Sequence, residues 1–474
     1  MDIRILAVLS AILTVFQAVP LAFSLIHGDN FWPIFFSILV SAIIAVGGLT
    51  FTIRANPTLR PQDGFLVATF GWILAIILGA MPYLFSGSLH WIDAIFESTA
   101  GFTTTGSSVL THPESWPQSL LLWRSMTQWL GGMGMLLLTI AILPFLGVGG
   151  MQLMKAEVPG PSKERLTPRL ATTARVLWGF YVGFTVVLVV LYIFSGMSYF
   201  NALNHAFTTM ATGGFSTRSE SLAAFSPMAQ WWCILFMVLA GTNFLLHYRL
   251  VLRRDWKVFH DPEWQLYIGI IITVGLIISA KLFYGSELHI ETALRQSFFQ
   301  TVSIMTTTGY VNVDWTVWPA FLQLLLILLM LIGGMSGSTG GGVKVIRIAV
   351  LIKLLSAVTS RLLQPNRIVV LKLGSKTVSQ EVSEGCVGMV AVALILTIIT
   401  GLALNIMGMD MVSAMSAALS CVSNVGPGLG TVGPIDNFAL VPDAGKLLLS
   451  FDMVAGRLEI FTVLMLFSSK FWAS

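Results

Sequence analysis

Charge is what this chain has least of. Only 10% of its 474 residues are Asp, Glu, Lys or Arg, where a soluble domain of ordinary composition carries roughly a quarter. Water is therefore not its main solvent, and a nucleic-acid partner is not expected. Cysteine is nearly absent too. Cys233, Cys386 and Cys421 stand singly in apolar surroundings, which excludes a disulfide framework and suggests no metal site. The seven histidines are scattered, and His205 reads as packing. No HExxH, GxSxG or paired-carboxylate arrangement occurs at useful spacing, so a multi-span membrane enzyme is disfavoured. No Rossmann or P-loop signature occurs either, and no nucleotide is expected to bind this chain itself.

What is present is apolar sequence, 55% of the chain. It falls in runs of about 20 residues, each long enough to cross a bilayer core of roughly 30 Å. The class is an all-α polytopic membrane protein, with the lipid bilayer as solvent. Two apolar stretches, 3–27 and 31–53, come first. The first reads as an uncleaved helix rather than a signal peptide, because many spans follow it.

After residue 62 one pattern repeats four times. A long apolar helix (near 65–86, 172–195, 264–284 and 385–407) precedes a short half-apolar segment (91–103, 199–211, 291–305 and 410–422). A Thr/Gly-rich string follows, then a polar loop and a closing helix starting near 118, 228, 318 and 444. The implied units are a two-helix segment at 1–62 and repeats at 63–150, 151–262, 263–380 and 381–474. The short segments cannot span a bilayer. Irregular backbone at membrane depth survives only where it is buried in protein or lines a water-filled cavity. Four such re-entrant segments imply a pore.

Basic residues orient the chain. Of 26 Lys and Arg, 20 fall at the N-terminus, at 54–60, 155–175, 249–257 and 344–376, or at Lys470. All lie on one side if each repeat is helix, re-entrant loop, helix, which puts both termini in the cytoplasm. The opposite loops hold Arg218 and Arg295 against Asp93, Glu97, Glu114, Glu220, Glu287, Glu291, Asp314, Asp410, Asp436 and Asp443. An acidic outer face concentrates cations. Asp410, opening the fourth short helix, reads equally as a helix cap.

The four strings align as Thr103-Thr104-Thr105-Gly106-Ser107, Ala211-Thr212-Gly213-Gly214-Phe215, Thr306-Thr307-Thr308-Gly309-Tyr310 and Ser423-Asn424-Val425-Gly426-Pro427. Glycine at one register permits positive φ, and carbonyl oxygens so turned replace an ion's hydration shell. The short helices point C-terminal, negative dipole ends at the pore, which favours cations. Pro427 lacks an amide donor, so fourfold symmetry is expected to be imperfect.

The closing helices align on a pair of small residues: Gly131-Gly132-Met133, Ala240-Gly241-Thr242, Gly333-Gly334-Met335 and Ala455-Gly456-Arg457. The pair suits close helix packing. Arg457, a charge within an apolar helix, faces a cavity or a partner. The partner reading is an ion pair with Asp452, Glu459 or another helix acid. In the third helix, six of the ten residues from Gly333 to Gly342 are glycine, which breaks the helix at membrane depth.

With these strings and the two leading helices, nearly the whole chain resembles the TrkH/KtrB/HKT superfamily of potassium transporters, most closely its TrkH branch. The resemblance implies four helix–pore-loop–helix repeats in pseudo-fourfold arrangement. It implies a selectivity filter of Thr104, Thr105, Gly106, Thr212, Gly213, Gly214, Thr307, Thr308, Gly309, Asn424, Val425 and Gly426, with potassium as the permeant ion at Gly106, Gly214, Gly309 and Gly426. Gly106, where sodium-preferring plant relatives often have serine, favours potassium.

A gate is implied at Arg457 and the loop residues Gly337, Ser338, Thr339, Gly340, Gly341 and Gly342, with Ser336 also offering oxygens. The glycines there are the expected hinge. The resemblance further implies a homodimer, a cytosolic ring of TrkA-type nucleotide-binding subunits beside the basic stretch Lys344–Lys376, and a bacterial inner membrane. A channel and a symporter coupled to Na⁺ or H⁺ both stay open.

Overall fold

In hydrocarbon every backbone polar group needs an internal partner, and this chain meets that demand with helices. The structure, a computed structural model, describes residues 3–53, 61–134, 170–285, 288–364, 370–374 and 376–472. Helices α1 (Ile3–His27) and α2 (Trp32–Phe51) form the leading pair. Gln17 on α1 ties the pair to the rest of the fold. Its amide donates to Ser37 Oγ at 3.0 Å and to the Leu78 carbonyl at 3.3 Å, and it accepts from Ser41 Oγ at 3.2 Å. Interhelical polar bonds of this kind do the work that apolar burial cannot do in lipid.

The outer helices are α3 (Pro61–Phe85), α6 (Leu170–Phe194), α10 (Pro262–Gly285) and α14 (Gln380–Ile406). With α1 and α2 they make six helices long and apolar enough to cross a membrane among the described residues. Their outward faces are apolar, as in α14, where Ile395, Ile398, Ile399 and Leu402 are exposed. The short helices are α4 (Trp91–Phe102), α7 (Tyr199–Met210), α11 (Ile290–Met305) and α15 (Met411–Ser423), each packed on the outer helix before it. The closing helices begin with α5 (Gln118–Gly132), α8 (Pro227–Ala240), α12 (Ala320–Ile332) and α16 (Asp443–Arg457).

Closing helices break within the described residues, and the fourth, after Arg457, resumes as the short helix Phe461–Leu464. The third ends at Ile332 and resumes as α13 (Val345–Leu363), with the glycine-rich loop between them. The second breaks as well, which the sequence reading did not anticipate. Between α8 and α9 (Phe244–Val251) the axis bends by 96°, and the Asn243 side chain caps α9 by accepting from the Leu245 amide at 2.9 Å. A two-residue antiparallel hairpin, Lys372–Leu373 with Lys376–Thr377, is the only sheet among the described residues. The 150/151 repeat boundary, Glu287 and the basic residues at 54–60 and 155–169 lie outside the described residues.

Candidate ion-conduction site

Each short helix ends in the same way. The amide of the residue before the string's glycine reaches back five positions: Thr105 to Ala100 O at 3.0 Å, Gly213 to Thr208 O at 2.9 Å, Thr308 to Ser303 O at 2.8 Å and Val425 to Ser420 O at 2.9 Å. The amide before it reaches back three, from Thr104, Thr212, Thr307 and Asn424 to Gly101, Thr209, Ile304 and Cys421. This is the Schellman termination, which places its C′ residue in the left-handed region. Thr104, Thr212, Thr307 and Asn424 have φ of 54°, 51°, 58° and 54°. Asn tolerates that region. A β-branched Thr does not, and holding one there costs about 1–3 kcal/mol. Strain of this size, placed identically three times, marks a site whose backbone direction matters more than local stability.

Two residues on, Gly106, Gly214, Gly309 and Gly426 again have positive φ, 82°, 76°, 77° and 112°. The strings meet in a closed ring. A methyl group on Gly106 would collide with the Gly213 carbonyl oxygen, one on Gly214 with that of Thr308, and one on Gly309 with that of Val425. The fourth junction, Gly426 to Thr105 O, completes the cycle with more room, at 2.8 Å from an added Cβ. The irregular junction is the one whose string carries Pro427. The four glycines line one pocket together with Arg218 and Asp436.

All twelve candidate filter residues are thus brought together, and the seven non-glycine ones among them are at most 1% exposed. Thr103 and Thr105 share a hydroxyl–hydroxyl hydrogen bond of 2.7 Å, and Thr306 and Thr308 share its counterpart, also 2.7 Å. Asn424 Nδ2 donates to Thr105 Oγ1 and to the Met453 carbonyl, both at 2.9 Å.

The glycine-rich loop lies against the inner side of the ring. Gly341 N donates to Thr307 Oγ1 at 2.6 Å, and Thr339 Oγ1 to the carbonyls of Met210 and Ala240, both at 3.2 Å. The loop is seated in the break of the second closing helix: Met335 N donates to Gly241 O and Phe244 N to Gly337 O, both at 3.0 Å. Of the expected hinge glycines, Gly337 and Gly342 have positive φ, as does Gly333; Gly340 and Gly341 do not. Arg457 reaches the loop from α16, donating to Thr339 O at 2.8 Å and to Gly131 O and Gly132 O at 2.6 and 2.9 Å. No ion pair between Arg457 and Asp452 or Glu459 is present among the described residues. Glu459 pairs with Arg347 at 2.7 Å, and neither oxygen of buried Asp452 has a hydrogen-bond partner among the described residues.

Three participants escaped the sequence reading. Lys344, counted with the cytoplasmic basic stretch, is half-buried, and its ammonium donates to Gly340 O inside the loop. Glu263, at the start of α10, accepts from Ser336 N at 2.6 Å. Gln128 on α5 donates to Gly213 O at 2.6 Å. A polar residue inside an apolar helix was the only sequence signal for Gln128.

The outer acids are less free than their number suggests. Glu97 is buried against Arg124 at 2.6 Å, Asp93 pairs with Lys446 at 2.6 Å, and Glu291 pairs with Arg295 at 2.9 Å. Asp410 is the N-cap of α15, accepting from Ser413 N at 3.0 Å. The Ser413 hydroxyl and amide hold its carboxyl below the usual carboxylate range. His205, fully buried, is packed between Asn201 O and Ser216 Oγ at 2.8 and 3.0 Å.

The comparisons with known proteins agree with this architecture. The TrkH family, described as cation transport protein, matches residues 33–474. The Trk system potassium uptake protein TrkH of Salmonella typhimurium is 41% identical over 428 residues, covering 88% of each chain. Its namesake from Halomonas elongata is 36% identical over 479 residues, covering 100% of this chain and 99% of that one. The crystal structure of the potassium transporter TrkH from Vibrio parahaemolyticus superposes with a TM-score of 0.90 at 34% identity, covering 99% of both chains. Sharing its matched sequence and its fold with these proteins, the chain belongs to the TrkH family of cation transport proteins.

Proposed function

We propose that this chain takes up potassium through a gated, K⁺-selective pore. The observation that carries the reading is the closed ring of four strings, each turned by the same pair of left-handed residues and each a neighbour of the next. Alternating the sign of φ along a strand turns successive carbonyls to one side, and a ring of such carbonyls replaces the hydration shell of a monovalent cation. The four short helices end at the ring, so their negative dipole ends favour the same charge. On this reading the filter is residues 104–106, 212–214, 307–309 and 424–426. Potassium is held at Gly106, Gly214, Gly309 and Gly426, and the chain catalyses no reaction.

The gate consists of Gly337–Gly342 and Arg457. The loop occupies the path beneath the ring, and the guanidinium adds a positive charge where a cation must pass. The distribution of Lys and Arg supports both termini in the cytoplasm, and the bacterial relatives support a bacterial inner membrane. Its repeats divide near residues 62, 150, 262 and 380. By analogy with relatives named as parts of a Trk system, it works as a homodimer on a cytosolic ring of TrkA-type subunits, which bind the regulating nucleotide.

A symporter coupled to Na⁺ or H⁺ is the second reading, favoured by Asp452. This carboxyl is 0% exposed, within α16, and without a hydrogen-bond partner among the described residues; intramembrane acids of that kind serve as coupling sites.

Rubidium-86 uptake into liposomes holding the purified chain, driven by an outward potassium gradient, separates the readings. Uptake suppressed by external potassium and barely by sodium is the result expected of the pore. Uptake that requires an added sodium or proton gradient would replace the pore with the symporter. Uptake suppressed equally by both cations would overturn potassium selection.

A further inference from the structure

The second string lacks the brace that holds the first and third. In those, the hydroxyl pairs Thr103–Thr105 and Thr306–Thr308 tie the string to the end of its own short helix. In the second, the same two positions are Ala211 and Gly213, and no hydroxyl exists to form the pair. Gly213 does not have positive φ, and its counterparts Thr105 and Thr308 carry side chains at the same register. Backbone conformation is therefore not what keeps this position bare.

What fills the space is Gln128 from α5 of the first repeat. A Cβ on Gly213 would collide with Gln128 Cδ and stand 2.5 and 2.7 Å from its Oε1 and Nε2. The amide brackets Gly214: Nε2 donates to Gly213 O at 2.6 Å, and Oε1 accepts from Phe215 N at 3.1 Å. One turn earlier on the same helix face, Arg124 donates to Ser216 O at 2.8 Å and lays its guanidinium 3.5 Å from the centroid of the Phe215 ring. Gln128 itself is 0% exposed. Three positions before the small pair, the other closing helices carry Met237, Met330 and Asp452; among the described residues, no bond from any of their side chains to a neighbouring string is present.

We propose that Gln128 is a positioning residue for ion selection, an amide strut from the first repeat that replaces the missing hydroxyl brace of the second string and fixes the direction of the Gly213 carbonyl. The proposal rests on the ring being the selectivity filter. A carbonyl bonded to Gln128 on one lone pair retains the other for an ion, and the strut limits how far it swings to accommodate a smaller one. Selection between cations of different radius depends on that restraint, so loss of the strut relaxes selection before it reduces flux.

The test is the potassium-over-sodium preference of rubidium uptake in liposomes for Gln128→Met, Gln128→Ala, the double variant Gln128→Ala with Gly213→Thr, and Gly106→Ser as a control. Methionine is the residue of two other repeats at this register. Gln128→Met is expected to lower the preference about tenfold with uptake of rubidium retained. The double variant, which rebuilds a side chain in the vacated space, is expected to recover part of the preference lost in Gln128→Ala.

Wild-type preference in folded Gln128→Met, alongside a changed preference in Gly106→Ser, would overturn the strut and leave the filter standing. Unchanged preference in Gly106→Ser as well would overturn the filter itself. Should Gln128→Met fail to fold, a double variant no more selective than Gln128→Ala would equally overturn the strut.

Discussion

Arg457 Nη1 donates to the Thr339 carbonyl at 2.8 Å, so the charge in the fourth closing helix is bonded to the loop that breaks the third. The same guanidinium holds two carbonyls at the end of the first closing helix. Thr339 Oγ1 in turn bonds Ala240 O, at the end of the second. One arginine and one threonine therefore connect all four closing helices directly beneath the ring. Motion of the loop away from this position requires the bonds of Thr339 to Arg457, Met210 and Ala240 to break.

Arg457→Ala removes three charge-assisted bonds, each worth about 1.5–3 kcal/mol. Forfeiting even one shifts a closed–open equilibrium about tenfold or more. Basal rubidium flux without any added partner is expected to rise by at least that factor. Deleting residues 337–342 is expected to act in the same direction. Unchanged basal flux in both variants, with folding confirmed by size-exclusion chromatography, would remove the gate from this position.

Serine substitutions at the ring test the filter with an internal ranking. At Gly106 an added Cβ collides with the neighbouring Gly213 carbonyl, whereas at Gly426 it meets Thr105 O at 2.8 Å. Both positions also have positive φ, where a side chain adds backbone strain. Gly106→Ser is therefore expected to weaken potassium-over-sodium preference more than Gly426→Ser. Competition of rubidium uptake by each ion measures both, and an inverted order would contradict the ring geometry.

Much of this was legible because length and apolarity decide what spans a bilayer. The four short helices and the two leading helices fall within a few residues of where their apolar runs place them, and the strings declared themselves by repetition. The break of the second closing helix did not. Gly241 is its only glycine there, while apolar residues continue through Phe244–Leu246 on the far side. That break is stabilised by the Gly337 and Met335 backbone of another repeat, a contact no local pattern encodes. The bond of Lys344 to Gly340 O was hidden for a similar reason: it exists only once the loop has folded back over the lysine. Gln128 carries meaning only once Gly213 is seen beside it.

Asp410 gives a pH-dependent prediction. The Ser413 hydroxyl and amide hold its carboxyl below the ordinary range near 4. A carboxyl whose value is lowered by folding stabilises the fold above its unfolded value, and that contribution fades as pH falls through the folded value. Asp410→Ala is expected to cost about 0.5–2 kcal/mol at neutral pH, read as a lower melting temperature in detergent. The gap between wild type and variant is expected to narrow below about pH 4. A gap that widens on acidification would show that the carboxyl acts otherwise than as the ionised cap of α15.

Asn424 separates backbone from side-chain contributions in the fourth string. Its left-handed φ of 54° suits Asn or Gly, and its amide holds both Thr105 Oγ1 and Met453 O. Asn424→Gly keeps the backbone conformation accessible and loses the two bonds, while Asn424→Ala loses the bonds and adds strain of about 1–2 kcal/mol. Both are expected to lower thermal stability, with the alanine variant lower by that difference. Both are expected to reduce ion preference alike, because the link from string to α16 is absent in each. If glycine instead preserves wild-type preference while alanine abolishes it, selection at this junction depends on the direction of the Asn424 backbone and not on its amide.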